Sequence, residues 1–223
     1  MGKRGSKPKG KVRLGWSSNF AYALGLIASD GSLSKDGRHI VLTSVDKDQL
    51  KNFLHCLRIR SSIRAYKGSD GKTASRVQIG DVLFYKFLQG IGLTPAKSKT
   101  IGPLQIPQEF FFDFLRGVFD GDGSTYSYWD KRWRSSFMFY LTFVSASPPF
   151  IDWLRENIKK LSRTDGHISS SKGRNLCQLR YAKKEAIVVM RKMYEKKQCI
   201  CLRRKRLKIE RTLRIVGESL SAE

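Results

Sequence analysis

Two thirteen-residue stretches of this chain carry one pattern, and that repeat limits the possible folds more than any other feature. Residues 20–32 read FAYALGLIASDGS and residues 112–124 read FDFLRGVFDGDGS. At one constant offset Gly25 aligns with Gly117, Ser29 with Gly121, Asp30 with Asp122, Gly31 with Gly123 and Ser32 with Ser124. Matching length, apolar spacing and a terminal Asp-Gly-Ser mark an internal repeat, which fixes an architecture before single elements are assigned. Ala21, Gly25 and Ser29 fall at i, i+4 positions on one helix stripe, as do Gly117 and Gly121. Small residues at that spacing let two helix backbones approach closely. The two stripes are expected to pack on each other about a pseudo-two-fold axis, with Ala21, Gly25, Gly117 and Gly121 at the contact. Gly31 and Gly123 are expected to be left-handed caps that release each helix into a strand.

The segments after the two copies repeat as well. An alternating run (RHIVLTSV; FMFYLTFVSA) leads to a helical pattern (DKDQLKNFLHCL; PPFIDWLRENIKKL). Two strand-like runs then meet at a turn, around Ser69-Asp70-Gly71 in the first half and Gly173 in the second. A closing helix (DVLFYKFLQGIGL; KEAIVVMRKMYEKK) ends each half. The order is helix, two strands, helix, two strands, helix, twice over: an α+β chain of two pseudo-two-fold-related αββαββα halves. The expected organisation is a basic arm at 1–16, a first half at 17–94, a linker at 95–107, a second half at 108–202 and a basic tail at 203–223. The linker region TPAKSKTIGPLQIP holds three prolines and one glycine and reads as extended rather than helical. The strand region after Asp122 is about nine residues longer than its counterpart, within the usual uncertainty of element boundaries.

The charge narrows the partner. Lys and Arg number 43 against 19 Asp and Glu, a formal net charge of +24, and such an excess calls for a polyanion. Nucleic acid is favoured over an anionic membrane surface, because no apolar run approaches a bilayer span and no signal-peptide core is present. The first thirteen residues carry six basic groups and no acid, which suits either an arm along a phosphate backbone or a solvated end. Cys56 and Cys177 read as buried thiols, and Cys199 and Cys201 lack the spacing and histidines of a zinc site. This usage suits a reducing intracellular compartment, the cytoplasm of a prokaryote or an organelle matrix.

Strand alternation separates a packing face from a polar one. Val77 and Ile79 alternate with Arg76 and Gln78, Ile63 and Ala65 with Arg64 and Tyr66, and Leu179 and Tyr181 with Gln178 and Arg180. A polar sheet face is commonly just solvated. Arg and Gln at matched strands of both halves point instead to groove reading, Arg on guanine edges and Gln on adenine edges. The candidate contacts in the first half are Ser32, Lys35, Arg38, Arg64, Tyr66, Lys67, Arg76 and Gln78. Those in the second are Ser124, Tyr126, Tyr128, Arg132, Arg134, Ser169, Lys172, Arg174, Gln178 and Arg180. Asp30 and Asp122 fall together at one end of the paired helices. A helix C-terminus already carries partial negative charge, so two acids there call for a cation, and hard Mg²⁺ prefers carboxylate oxygens. Rival motifs fail: a calcium loop starting at Asp120 would put Thr125 where Gly is required and Lys131 where Glu is required. A phosphate loop at GSDGKT would need Gly at Tyr66, and His39, His55 and His167 are too dispersed for a zinc hydrolase.

ALGLIASDG (residues 23–31) and LRGVFDGDG (115–123), with their repeated surroundings and the linker PAKSKTIGPLQIP, resemble the LAGLIDADG homing endonuclease family in its two-motif, single-chain form. The resemblance covers residues 17–197. It implies a saddle of antiparallel strands over double-stranded DNA, and a monomer with internal pseudo-dimer symmetry that needs no protein partner. It also implies cleavage of both strands across the minor groove. Asp30 and Asp122 are then metal ligands in two overlapping active sites, and Ser29 and Gly121 are expected to bind metal with them. Mg²⁺ is the implied cofactor, with Mn²⁺ substituting and Ca²⁺ supporting binding without cleavage. A basic residue near the last strand-to-helix junction commonly assists, and Lys183 is the candidate. The matching place in the first half is Gly80-Asp81, so two unequal sites are expected. The sixth motif position also differs, Asp120 against Ala28. An RNA-binding splicing maturase or a non-cleaving regulator on the same fold is the alternative function, and a ribosomal or chromatin-type basic protein is a third.

Overall fold

The computed structural model describes residues 10–68, 71–133, 135–171, 176–196 and 198–220. Arg134, Lys172 and Arg174, the turn positions 69, 70 and 173, and the arm residues 1–9 lie outside them. The first half runs α1 (Ser18–Asp30), β1 (Gly31–Leu33), β2 (His39–Ser44), α2 (Lys47–Leu57), β3 (Arg64–Lys67), β4 (Thr73–Gly80) and α3 (Val82–Gly90). The second runs α4 (Phe111–Asp122), β5 (Ser124–Trp129), β6 (Phe137–Ser145), α5 (Pro148–Ser162), β7 (His167–Ser171), β8 (Leu176–Ala182) and α6 (Lys183–Tyr194). Each half is αββαββα, and each holds one antiparallel sheet, ordered β1-β2-β4-β3 and β5-β6-β8-β7.

The duplicated helices form the centre. A methyl group built on Gly25 would lie 2.1 Å from the Phe114 carbonyl oxygen, and one on Gly117 would lie 2.1 Å from that of Tyr22. Only glycine permits this approach, and Ala21 is fully buried beside it. The Ser17 hydroxyl starts α1 by accepting from the Phe20 N–H at 3.2 Å. The expected left-handed caps are not there: Gly31 (φ −83°) and Gly123 (φ −79°) are extended. Glycine is needed for space instead. A Cβ at either site would come within 2.6 Å of Ile27 Cα or Phe119 Cα, because the chain runs straight from helix into strand.

Both sheets bury one face. Ile40, Leu42, Val77 and Ile79 on the first, and Phe139, Leu141, Phe143 and Leu179 on the second, join one continuous core with the helices. The β1–β2 register pairs Ser32 with Val41, whereas the β5–β6 register pairs Ser124 with Thr142. The second hairpin therefore encloses nine more positions than the first, as the sequences suggested.

Two connectors depart from expectation. The linker, read as extended, contains a 3₁₀ turn at Lys97–Lys99 that drives the Lys97 side chain inward. Residues 203–223, read as a basic tail, contain α7 (Arg203–Ile215), which buries Ile209 and Leu213 and runs beside β5. Its entrance is anchored by α4: the buried Asp120 carboxylate accepts from the Leu202 N–H (2.6 Å) and the Tyr22 hydroxyl (2.8 Å). Arg116, paired with Asp113, donates to the carbonyls of Met193 and Ile200. The acid at the sixth motif position thus anchors the entrance of α7, whereas at the matching place Ala28 is buried and its carbonyl accepts from Lys97. No helix of the described residues is long and apolar enough to cross a membrane.

Candidate active site and nucleic-acid interface

Close packing of α1 on α4 brings their C-terminal ends together. A Cβ on Gly121 would meet the Ser29 hydroxyl and lie 3.2 Å from Asp30 Oδ2, so the two motif ends interlock. The Gln49 side-chain amide, on the first turn of α2, donates to Asp30 Oδ2 at 3.0 Å and to the Asp120 carbonyl at 3.3 Å. The Ser44 hydroxyl orients it by donating to Gln49 Oε1. Asp122 keeps an open side to solvent and lines a 240 Å³ cavity with Ser29, Lys97, Ser145 and Leu176.

A lysine closes the end of each motif helix. Lys97 Nζ donates to the carbonyls of Ala28 (2.7 Å) and Ser29 (3.3 Å). Lys205 Nζ donates to those of Phe119 (2.7 Å), Gly121 (2.9 Å) and Gly123 (2.7 Å). An ammonium there satisfies orphan carbonyls and opposes the helix dipole. Burial, reinforced by the charge of Asp122, pushes the Asp30 carboxyl up to about 6 despite the Gln49 amide and the two lysines. Burial by surrounding protein raises Asp122 too, against the pull of Lys97 and Lys205. Burial also pushes both lysines down to about 8, against the attraction of the nearby acids. Four partly desolvated charges of opposite sign thus share one site.

The donor set suits a hard divalent cation. Two carboxylates at one focus offer oxygen ligands, and burial, the main cause of their raised pKa values, makes a bound cation a favourable partner for the charged pair. The Ser29 and Gly121 carbonyls already accept from lysines, each with one lone pair to spare. Among the described residues no group of three His, Cys, Asp or Glu side chains forms a metal cluster, so water and phosphate oxygens would complete the shell.

Lys183 is not at this site. It starts α6 with φ 41°, is exposed, and donates to the Ser136 hydroxyl at 3.4 Å. The matching Asp81 caps α3 by accepting from the Phe84 N–H. Sequence reasoning missed Lys97, Lys205 and Gln49. The signal for Lys205 was the helical spacing of Leu202, Ile209 and Leu213 around it. Lys97 lay in a proline-flanked linker with no periodicity to mark it.

Register sorts the candidate contacts. Ser32, Arg64, Tyr66, Arg76 and Gln78 share the open face of the first sheet, since Ser32 opposes Val41, Gln78 opposes Val41, and Arg64 opposes Arg76. Arg76 lies 3.5 Å over the Tyr66 ring, and a 530 Å³ cavity lined by Arg64, Arg76 and Gln78 opens on this face. Lys67 opposes Thr73, which puts it on the other face, a correction forced by the two-residue period of the strand. Lys35 and Arg38 are exposed in the β1–β2 turn, and Arg132 in the β5–β6 turn pairs with Asp130. Ser124, Tyr126, Tyr128, Ser169, Gln178 and Arg180 share the open face of the second sheet.

Two αββαββα halves, with the paired glycine-lined helices between them and an acid at the end of each, define the homing endonuclease fold. Residues 17–92, the first half, match the family model of the LAGLIDADG-like domain, and the second half repeats the same αββαββα order and sheet topology. It is similar in structure to the homing endonuclease I-WcaI bound to its DNA recognition sequence (13% identity, 88% of each chain, TM-score 0.56). It is similar to I-DmoI in complex with DNA and Ca (16% identity, 80% of this chain and 90% of that one, TM-score 0.52). Full-length WhiA from Thermatoga maritima matches as well (16% identity, 92% of this chain and 69% of that one, TM-score 0.55). No curated protein sequence matches the chain.

Proposed function

We propose that this protein is a divalent-metal-dependent DNA endonuclease that makes a double-strand break at a long target, as homing endonucleases of mobile introns or inteins do. The observation that carries the reading is the meeting of Asp30 and Asp122 between Lys97 and Lys205. Solved complexes of I-DmoI with DNA hold Ca, and others were formed with Mg or Mn, which supports Mg²⁺ or Mn²⁺ as the working ion.

Asp30 and Asp122 would hold the metal through carboxylate oxygens. When bound, it would supply Lewis acidity and an activated water. Lys97 and Lys205, held on the helix-end carbonyls beside the two acids, would add positive potential where charge builds on the phosphate. Gln49 fixes the Asp30 carboxylate in one orientation. Water oxygen adds to phosphorus, the P–O3′ bond breaks, and the leaving oxygen takes a proton to end as a 3′-hydroxyl. The sheet faces with Arg64, Arg76, Gln78, Gln178 and Arg180 would read the duplex, and the +24 charge would draw it in.

Asp30→Asn and Asp122→Asn should each bring cleavage of a selected target to background while retaining duplex binding in Ca²⁺, as read by gel shift and product analysis. Undiminished cleavage by both variants would sink the assignment. The likeness to WhiA shows that this fold is not confined to chains named as endonucleases, which leaves a second reading as a non-cleaving regulator. That reading predicts binding without any metal-dependent nicking.

A further inference from the structure

The open faces of the two sheets differ in chemistry although their frames match. On the first, Arg64 and Gln78 are exposed beside a polar cavity. On the second, Tyr126 stands directly opposite Tyr140, and Tyr128 opposite Met138. The Tyr126 and Tyr128 ring centroids are 5.5 Å apart, and Tyr128 and Tyr140 stack at 6.4 Å with planes inclined by 21°. Tyr126 is 61% exposed and Tyr128 38%. None of these side chains points to the core, because Phe139 and Leu141 occupy the alternate positions of β6. Arg180, the exposed guanidinium on this face, lies 5.3 Å over Tyr140 and donates to Gln178 Oε1 at 2.8 Å, so it stands at the edge of the aromatic patch.

A patch of two exposed tyrosines beside the half-buried Met138 and Tyr140, on so basic a protein, suits an apolar partner. Phosphates offer none, and base edges in the major groove offer donors and acceptors together with one apolar group, the 5-methyl of thymine. We propose that the second half reads an A·T-rich half-site through thymine methyl groups on Tyr126, Tyr128, Met138 and Tyr140. The first half reads guanine and adenine edges through Arg64 and Gln78, so the target is chemically asymmetric. This rests on the duplex-binding part of the proposed function and adds the substrate class of one half-site.

The test uses the full chain in Ca²⁺. Duplexes enriched from a randomised library are rebuilt with uracil replacing thymine in one half or the other, and affinities are read by fluorescence anisotropy. Uracil should weaken binding about fourfold per contacted methyl in one half only. A Tyr126→Ala/Tyr128→Ala variant should bind thymine and uracil forms alike. Met138→Ser serves as a second variant should the first misfold. Tight binding indifferent to uracil overturns the inference and leaves the proposed function standing. Tighter binding when that half-site is unpaired also overturns it, assigning the rings to base stacking. Enrichment of no duplex at all overturns both readings.

Discussion

A single methyl group at Gly117 would sit 2.1 Å from the Tyr22 carbonyl oxygen and 2.9 Å from Gly25 Cα, so two helices would have to part. Gly117→Ala should therefore destabilise the fold by about 3 kcal/mol, the upper range for overpacking a rigid contact. Urea denaturation checks this, and a variant within about 0.5 kcal/mol of wild type, the usual range for a surface change, would mean the interface is looser than drawn. The same steric logic explains Gly31 and Gly123, for which sequence suggested a turn conformation and the structure shows lack of room. Sequence marks that glycine is required. Only coordinates tell whether backbone angle or neighbouring atoms require it.

At the scale of elements, the two closing helices begin differently. The buried Asp81 carboxylate accepts from Phe84 N–H to start α3 and from the N–H groups of Lys11 and Val12, tying the incoming chain to that helix. Burial alone would raise this carboxyl, but the backbone donors outweigh it and hold its pKa below the ordinary value. The stabilisation is complete above the unfolded pKa of about 3.9 and is lost as pH falls through the lower folded value. Asp81→Ala should cost about 1–2 kcal/mol at neutral pH. The difference from wild type should shrink to the loss of the side chain's remaining contacts in acid. Urea melts across pH check this, and a gap that widens as pH falls would refute it. α6 has Lys183 at the matching position and no capping side chain, so the halves share a path without sharing its local chemistry.

The molecule as a whole is a duplicated frame with unequal sites. Gln49 on the first turn of α2 holds Asp30, whereas the third residue of α5 is Phe150, buried in the core. Among the described residues no side-chain amide meets Asp122. The two strands of a target should therefore be cut at different rates, with nicked circles accumulating before linear product on a supercoiled plasmid. Gln49→Ala should slow one strand more than the other, as strand-specific end labelling would read. Equal rates for both strands in wild type and variant would contradict the asymmetry. Sequence placed the expected inequality at Lys183 and Asp81, and both of these begin helices instead.

Legible along the chain were the duplicated frame, the order of elements, the nine-residue difference between hairpins, and the approach of the two motif ends that carry Asp30 and Asp122. These are local or repeated signals: apolar periods of two and 3.6, and small residues recurring at i, i+4. Tertiary structure decided which basic groups stand at the acids. Lys97 reaches the Ala28 carbonyl from 69 residues away and Lys205 the Phe119 carbonyl from 86. A lysine in a linker and a lysine in a basic run look like solvated charges along the chain. Burial against unpaired helix-end carbonyls gives them another role, and that burial exists only once α1, α4, the linker turn and α7 have packed together.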